Sequence, residues 1–356
     1  MMQKVTFNNK YSPFFDALKA NVDNYFKTNK IEPTGNFKLY LKTILLALSA
    51  ITIYTILVFF TPAVWISVLL CSLFGFTLAG IGFNVMHDGA HGSYSNKKWI
   101  NNLGAFTLNM MGGSSYIWKI KHNINHHTFT NIEGLDSDID IKFWMRLHKD
   151  QEYHWFHRFQ YIYFLFFYGI SYFMWVYYLD FAKYFSSKIS TTSLRKMALK
   201  DHINFWISKI VYTAFFIVIP IFMVGLIPTI VGYSIIVVVC GITISIVFQL
   251  AHVVEDTQFP MPAEGTNKID NEWAIHQVLT TADFATHNKA ISWFVGGLNF
   301  QVVHHLFPKI SHIHYPNISA IIRDTCKQYN VPYKEYPTFL SAVRSHIMQL
   351  KQLGIN

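Results

Sequence analysis

The chain is poor in cysteine and in charge. Its 356 residues hold three cysteines, Cys71, Cys240 and Cys326, which are scattered and form no CxxC pair. That spacing implies neither a disulfide framework nor a thiolate metal cluster. Charged residues are 14% of the chain against 52% apolar and 17% aromatic, far from the composition of a soluble surface. The net charge of +9 is not gathered into one basic patch, so a nucleic-acid partner is not expected. Residues 1–40 are polar and lysine-bearing, and no secretory signal peptide is expected there. The HExxH motif of zinc hydrolases is also missing.

What the chain has in quantity is apolar sequence. Four runs, 43–60, 64–83, 210–226 and 230–251, are long enough to cross a hydrocarbon core of about 30 Å. Thr61-Pro62-Ala63 separates the first two and Ile227-Pro228-Thr229 the last two, so each pair reads as a hairpin with a tight, uncharged turn. Lys38 and Lys42 precede the first hairpin, and Lys97, Lys98, Lys119 and Lys121 follow it. The positive-inside rule then places both termini and the central region in the cytoplasm. A fifth stretch, 161–179, has eleven aromatic residues among nineteen, which suits an interface better than a hydrocarbon centre. It is expected to be interfacial or re-entrant. The expected fold is an all-α integral membrane protein, two transmembrane helical hairpins (four spans) with a cytoplasmic helical cap holding a di-metal site. By domain, this is an N-terminal segment 1–40, a membrane domain 41–320 and a C-terminal helical tail 321–356.

Seven of the seventeen histidines fall in three clusters flanking the apolar runs. They are His87 and His91 in HDGAH, His122, His126 and His127 in HNINHH, and His304 and His305 in QVVHH. Residues four apart share a helix face, and His127 adds a ligand about 100° further round the axis. Gln301 precedes His304 by one turn, and His252 closes the fourth apolar run at the same cytoplasmic depth as His87. Parity of crossings brings all of them to one side of the membrane only if 161–179 does not span. Eight imidazoles and one amide exceed the needs of one ion and suit two. Imidazole suits zinc, copper, iron and nickel. No cysteine accompanies the clusters, as structural zinc often requires. Adjacent pairs such as His126-His127 do not fit haem ligands facing each other across separate helices, and a non-haem di-iron centre matches best. Asp88, Asn123, Asn125, Asp136, Asp138 and Asp256 are the candidates for orienting the imidazoles. The other histidines, His148, His154, His157, His202, His276, His287, His312, His314 and His346, are expected at the surface or in caps.

The three clusters, NVMHDGAHGSY, KHNINHHTFTN and GGLNFQVVHHLFP, resemble the histidine boxes of the membrane-bound fatty acid desaturases, over roughly residues 40–320. The resemblance implies two non-haem irons, O2 as co-substrate, a long fatty acyl substrate carried as acyl-CoA or membrane lipid, and a multi-pass location in a bacterial inner membrane with a cytoplasmic active site. Glutamine at 301 is similar to the front-end branch, whose members desaturate between an existing double bond and the carboxyl end. Many of those carry a fused cytochrome b5 domain with an HPGG motif, which this sequence does not contain. Electrons are therefore expected from a separate ferredoxin or cytochrome b5-type protein. Trp118, Phe143, Trp144 and Trp293 are expected to line an acyl tunnel. Related families hydroxylate on the same scaffold. A metal transporter would instead place ionisable groups inside its spans, and the four runs contain almost no charge.

Overall fold

The computed structural model describes residues 5–190, 192–194, 196–263 and 266–355. It is built mainly of helices, five of which are long and apolar enough to cross a membrane: Phe37–Phe60, Val64–His91, Trp155–Ser186, Leu199–Val224 and Leu226–His252. Three pairs of two-residue strands supplement them.

The first long helix starts where Asn36 caps it, its side chain accepting a bond from the Lys38 N–H at 3.0 Å. It ends at Thr61, whose φ of 40° turns the chain, and Pro62 with Ala63 leads into the second helix. The second helix does not stop with the apolar run. It continues through a π-wound segment, Gly82–Met86, to His91, where Gly92 (φ 78°) terminates it in the left-handed conformation. The second hairpin turns at Gly225 (φ 93°) and not at 227–229. Pro228 lies within the first turn of the last long helix, where it forfeits no intrahelical bond. The stretch 161–179 forms part of the continuous helix Trp155–Ser186, the least hydropathic of the five. Phe164, Tyr168, Tyr172 and Val176, spaced by four, form its buried stripe.

The chain divides into two compact units. One consists of Gly35–Ile120 and Tyr163–Val247. Its helices approach closely at glycines: a Cβ on Gly75 would lie 2.8 Å from the Ile236 carbonyl oxygen, and one on Gly241 would lie 2.6 Å from that of Tyr168. Backbones meet this closely in membranes because small residues remove the side chain between them. A buried ion pair, Lys209 Nζ to Asp180 Oδ2 at 2.8 Å, is fully served. The lysine also donates to the carbonyls of Gly112 and Val176, and the aspartate also accepts from Ser114 N and Trp175 Nε1. Such satisfaction is what makes burial of the pair tolerable.

The other unit consists of the chain up to Thr34, Lys121–Ile162 and the chain from Phe248 onward. Its apolar core joins Phe14, Leu18 and Val22 of the helix Pro13–Asn29 to Val302, Val303 and Leu306, and to Ile318 and Ile322 of Tyr315–Gln328. Parallel two-residue pairings, Thr6–Phe7 with Lys268–Ile269 and Asp283–Phe284 with Glu335–Tyr336, tie distant segments to this core.

Candidate metal centre

Six of the eight candidate imidazoles, with Gln301, come together inside the second of these units. His122 and His126 lie on the π-wound segment Ile120–His126, and His127 follows directly. The wider winding of a π-turn re-aims side chains relative to an α-helix and is frequent at functional sites. His252 is the last residue of its long helix, and Gln301, His304 and His305 lie on the short helix Gln301–Leu306. Ring centroids are 4.4 Å apart for His127 and His305, 4.6 Å for His127 and His304, and 4.7 Å for His126 and His252. The potential ligand atoms of His126, His252 and His305 lie within 4.8 Å of one another, as do those of His127, His304 and His305. All of these side chains are buried.

Hydrogen bonds set the tautomers. The Nδ1–H of His126 donates to Asp136 Oδ2 at 3.0 Å, that of His305 to Gln277 Oε1 at 2.7 Å, and that of His252 to the Thr280 carbonyl at 3.3 Å. Each acceptor can only accept, so each Nε2 is the nitrogen that keeps its lone pair. Gln301 Nε2 stands 3.0 Å from His252 Nε2 and 3.4 Å from His305 Nε2, between two such lone pairs. Burial alone would lower the His126 pKa. The carboxylates of Asp136 and Asp138 outweigh it and hold the imidazole above its ordinary value.

These donors fit a metal. His126 Nε2 and Gln301 Oε1 are buried without a hydrogen-bond partner, an expense a folded protein rarely carries unless the atoms serve a ligand. A carboxylate–histidine pair with the far nitrogen open is the arrangement of metal-bound imidazoles. The Gln301 amide, turned about its terminal bond, presents its oxygen to the point its nitrogen now faces.

His87 and His91 lie in the other unit, at the end of Val64–His91. Their rings are 4.7 Å apart and meet the edge of Trp118 at 5.8 and 6.0 Å. Gly89 lets this turn press on the helix Lys98–Met110, since a Cβ there would lie 2.6 Å from Ala105 N.

Of the residues expected to orient the imidazoles, Asp136 does so, and Asp138 lies 3.5 Å from His126 while pairing with Lys121. Asp256 does not. It is half-exposed and bonds Lys334 and Tyr336. The orienting groups that the sequence reading missed are Thr130, Asn131, Gln277 and Thr280. Thr130 Oγ1, with one proton to donate, lies 2.7 Å from the His126 carbonyl oxygen and 3.0 Å from Gln277 Oε1. Asn131, at φ 58°, donates from Nδ2 to the carbonyls of His252, Gln258 and Thr280. Asp283 Oδ1 accepts from Val302 N at 3.0 Å and so anchors the start of the Gln301 helix; burial pushes its carboxyl up to about 7. A TNIEG or HQVLTTAD segment carries no signal for such contacts beyond its polar residues.

The remaining histidines are not all at the surface. His148, His157, His276, His312, His314 and His346 are buried, and the capping half of the expectation describes His157, His314 and His346, which bond main-chain carbonyls. Trp118 is buried, whereas Phe143, Trp144 and Trp293 are half-exposed.

Comparison with known proteins identifies the scaffold. The family model described as fatty acid desaturase matches residues 63–337. The chain is 39% identical to the sn-1 linoleoyl-lipid 6-desaturase of Arthrospira platensis, over 99% of this chain and 95% of that protein. It is 36% identical to the protein of the same name from a Synechocystis strain, over 99% and 98%. It is 35% identical to the acyl-lipid (8-3)-desaturase of Physcomitrium patens, over 96% of this chain and 72% of that one. The three histidine clusters, the apolar helices and these matches agree: the chain belongs to the fatty acid desaturase family and is an oxidoreductase that desaturates fatty acyl chains.

Proposed function

We propose that this protein introduces a cis double bond into a lipid-linked long acyl chain, at a pair of non-haem irons held by His87, His91, His122, His126, His127, His252, Gln301, His304 and His305. The observation that carries the reading is the buried His126, bonded to Asp136 through Nδ1 and open at Nε2, beside His252 and His305 with the same polarity. The three motifs at family spacing add His87 and His91 to the set. The irons, when bound, supply the oxidising power drawn from O2 that removes two hydrogens from neighbouring methylenes. The protein's part is to bind and orient. Asp136, Gln277 and Thr280 fix which nitrogen of each ring faces inward, and the apolar core around Val302 and Val303 keeps water from the imidazoles. Electrons come from a ferredoxin or cytochrome b5-type protein.

Front-end regiochemistry and an acyl-lipid carrier are supported by Gln301 in its box and by relatives named as linoleoyl-lipid 6- and acyl-lipid (8-3)-desaturases. Four spans, with both termini and the site on one face, are supported by parity, and the cytoplasmic face by the lysines that flank the first hairpin. Three helices intervene between His126 and His252 or end at the latter, and if all three crossed, two rings 4.7 Å apart would face opposite compartments. The aromatic helix Trp155–Ser186 is then the one that does not cross.

Gas chromatography–mass spectrometry of the fatty acids of an expressing host, beside His304→Ala, tests this reading. A new unsaturated species with its double bond on the carboxyl side of an existing one is expected, absent from the variant. A hydroxylated acyl chain, or a bond placed towards the methyl end, would contradict it.

A further inference from the structure

The family match ends at residue 337, yet the last helix, Phe339–Leu353, is bonded to the segment that carries His252. A helix leaves its final carbonyls without intrahelical partners. At the end of Leu226–His252 those groups are met from elsewhere in the same unit. The His252 carbonyl accepts from Asn131 Nδ2 at 2.9 Å and from Thr257 Oγ1 at 2.7 Å. The next carbonyl, of Val253, accepts from His346 Nδ1 at 2.6 Å. A carbonyl only accepts, so the imidazole donates there. Ser345 Oγ, one residue earlier, accepts from Glu255 N at 3.0 Å, and Gln352 Nε2 donates to Glu255 Oε1 at 3.2 Å.

The far end of the same helix is fastened independently. Arg146 Nη1 donates to the Leu353 carbonyl at 2.8 Å and Gln160 Nε2 to that of Leu350 at 2.7 Å. A Cβ on Gly354 would collide with the His157 carbonyl, so the glycine lies directly on that backbone. The helix is thus clamped at its C-terminus to 146–160 and presents Ser345 and His346, from its middle, to residues 253–255.

We infer that His346 is a positioning residue for the metal centre: as the cap of Val253 it fixes where the preceding residue, His252, holds its imidazole. The inference rests on His252 being an iron ligand, as proposed above. The contact reaches the centre through one peptide unit. Loss of the donor leaves a buried carbonyl unsatisfied and frees the helix end to shift. The ring of His252 then moves off the position that Thr280 and Gln301 define.

Iron content and the Mössbauer spectrum of purified protein test this in three variants, read beside wild type. His346→Leu removes the donor. His346→Asn restores an N–H close to where Nδ1 stood, and His346→Gln keeps an amide but carries it one bond further out. The expected result is iron binding weakened about 10-fold or more in the leucine and glutamine variants, with an altered spectrum for part of the iron, and recovery of both in the asparagine variant. Equal behaviour of asparagine and glutamine variants, or wild-type iron and spectrum in His346→Leu, would overturn the inference. Collapse of all three variants would assign His346 to folding alone and overturn it equally. Wild-type protein that binds no iron would instead remove the reading on which it rests.

Discussion

At the residue scale, the candidate ligands announce themselves and their supports do not. Imidazoles at i, i+4 and i+5 in HNINHH, and an adjacent pair after a glutamine in QVVHH, are rare enough together to stand out in the sequence. Gln277 and Thr280 do not, because they meet His305 and His252 from segments 28 residues away in the chain. Asn131 reaches across 121 residues to the His252 carbonyl. Asp136 was legible, being close in sequence to the histidine it serves. Asp136→Asn removes the charge that holds the His126 ring basic, and iron affinity should fall about 10- to 100-fold in chelator competition; an unchanged affinity would separate the pair from the metal. His276 is buried, packed at 5.0 Å against Phe7, and burial lowers its pKa to about 4. A histidine whose folded pKa lies below its unfolded value stabilises the fold above the unfolded value of about 6.5 and loses that contribution as pH falls through it towards 4. Thermal stability of the solubilised protein should therefore drop across that window, and His276→Phe should flatten the drop. A variant as acid-sensitive as the wild type would place the lability elsewhere.

At the element scale, the apolar runs fixed the existence of the long helices but not their ends. The helix carrying His87 runs on to His91 and ends only where Gly92 takes the left-handed conformation, at φ 78°. The second hairpin breaks at Gly225, since a glycine can take φ 93° and a proline near a helix start need not break it. π-winding at 82–86 and 120–126 left no periodic trace, because segments of five and seven residues are too short to establish a period of their own. Close helix contact was equally hidden. Gly241→Val would push a Cβ against the carbonyls of Tyr168 and Gly169, at 2.6 and 2.8 Å, where backbone cannot yield cheaply. A loss of about 1–3 kcal/mol is expected in detergent unfolding, with Gly225→Ala destabilising through its φ alone. Wild-type stability in Gly241→Val would show that these helices are further apart than described.

At the scale of the whole molecule, the proposed topology follows from where the candidate ligands would meet. Single cysteines at Thr61, Lys30 and Ser187, in a background without Cys71, Cys240 and Cys326, can be labelled in intact cells with a membrane-impermeant maleimide. Four spans predict that only Thr61→Cys reacts from outside; labelling of Ser187→Cys from outside would make Trp155–Ser186 a crossing helix. The proposed chemistry depends on the metal. Iron analysis with Mössbauer spectroscopy on wild-type protein, beside His126→Ala, addresses it most directly. About two irons per chain, in a nitrogen-rich coupled pair whose signal is lost or halved in the variant, is the expected result. A single iron, zinc in its place, or an unaltered spectrum in His126→Ala would contradict the assignment of these imidazoles.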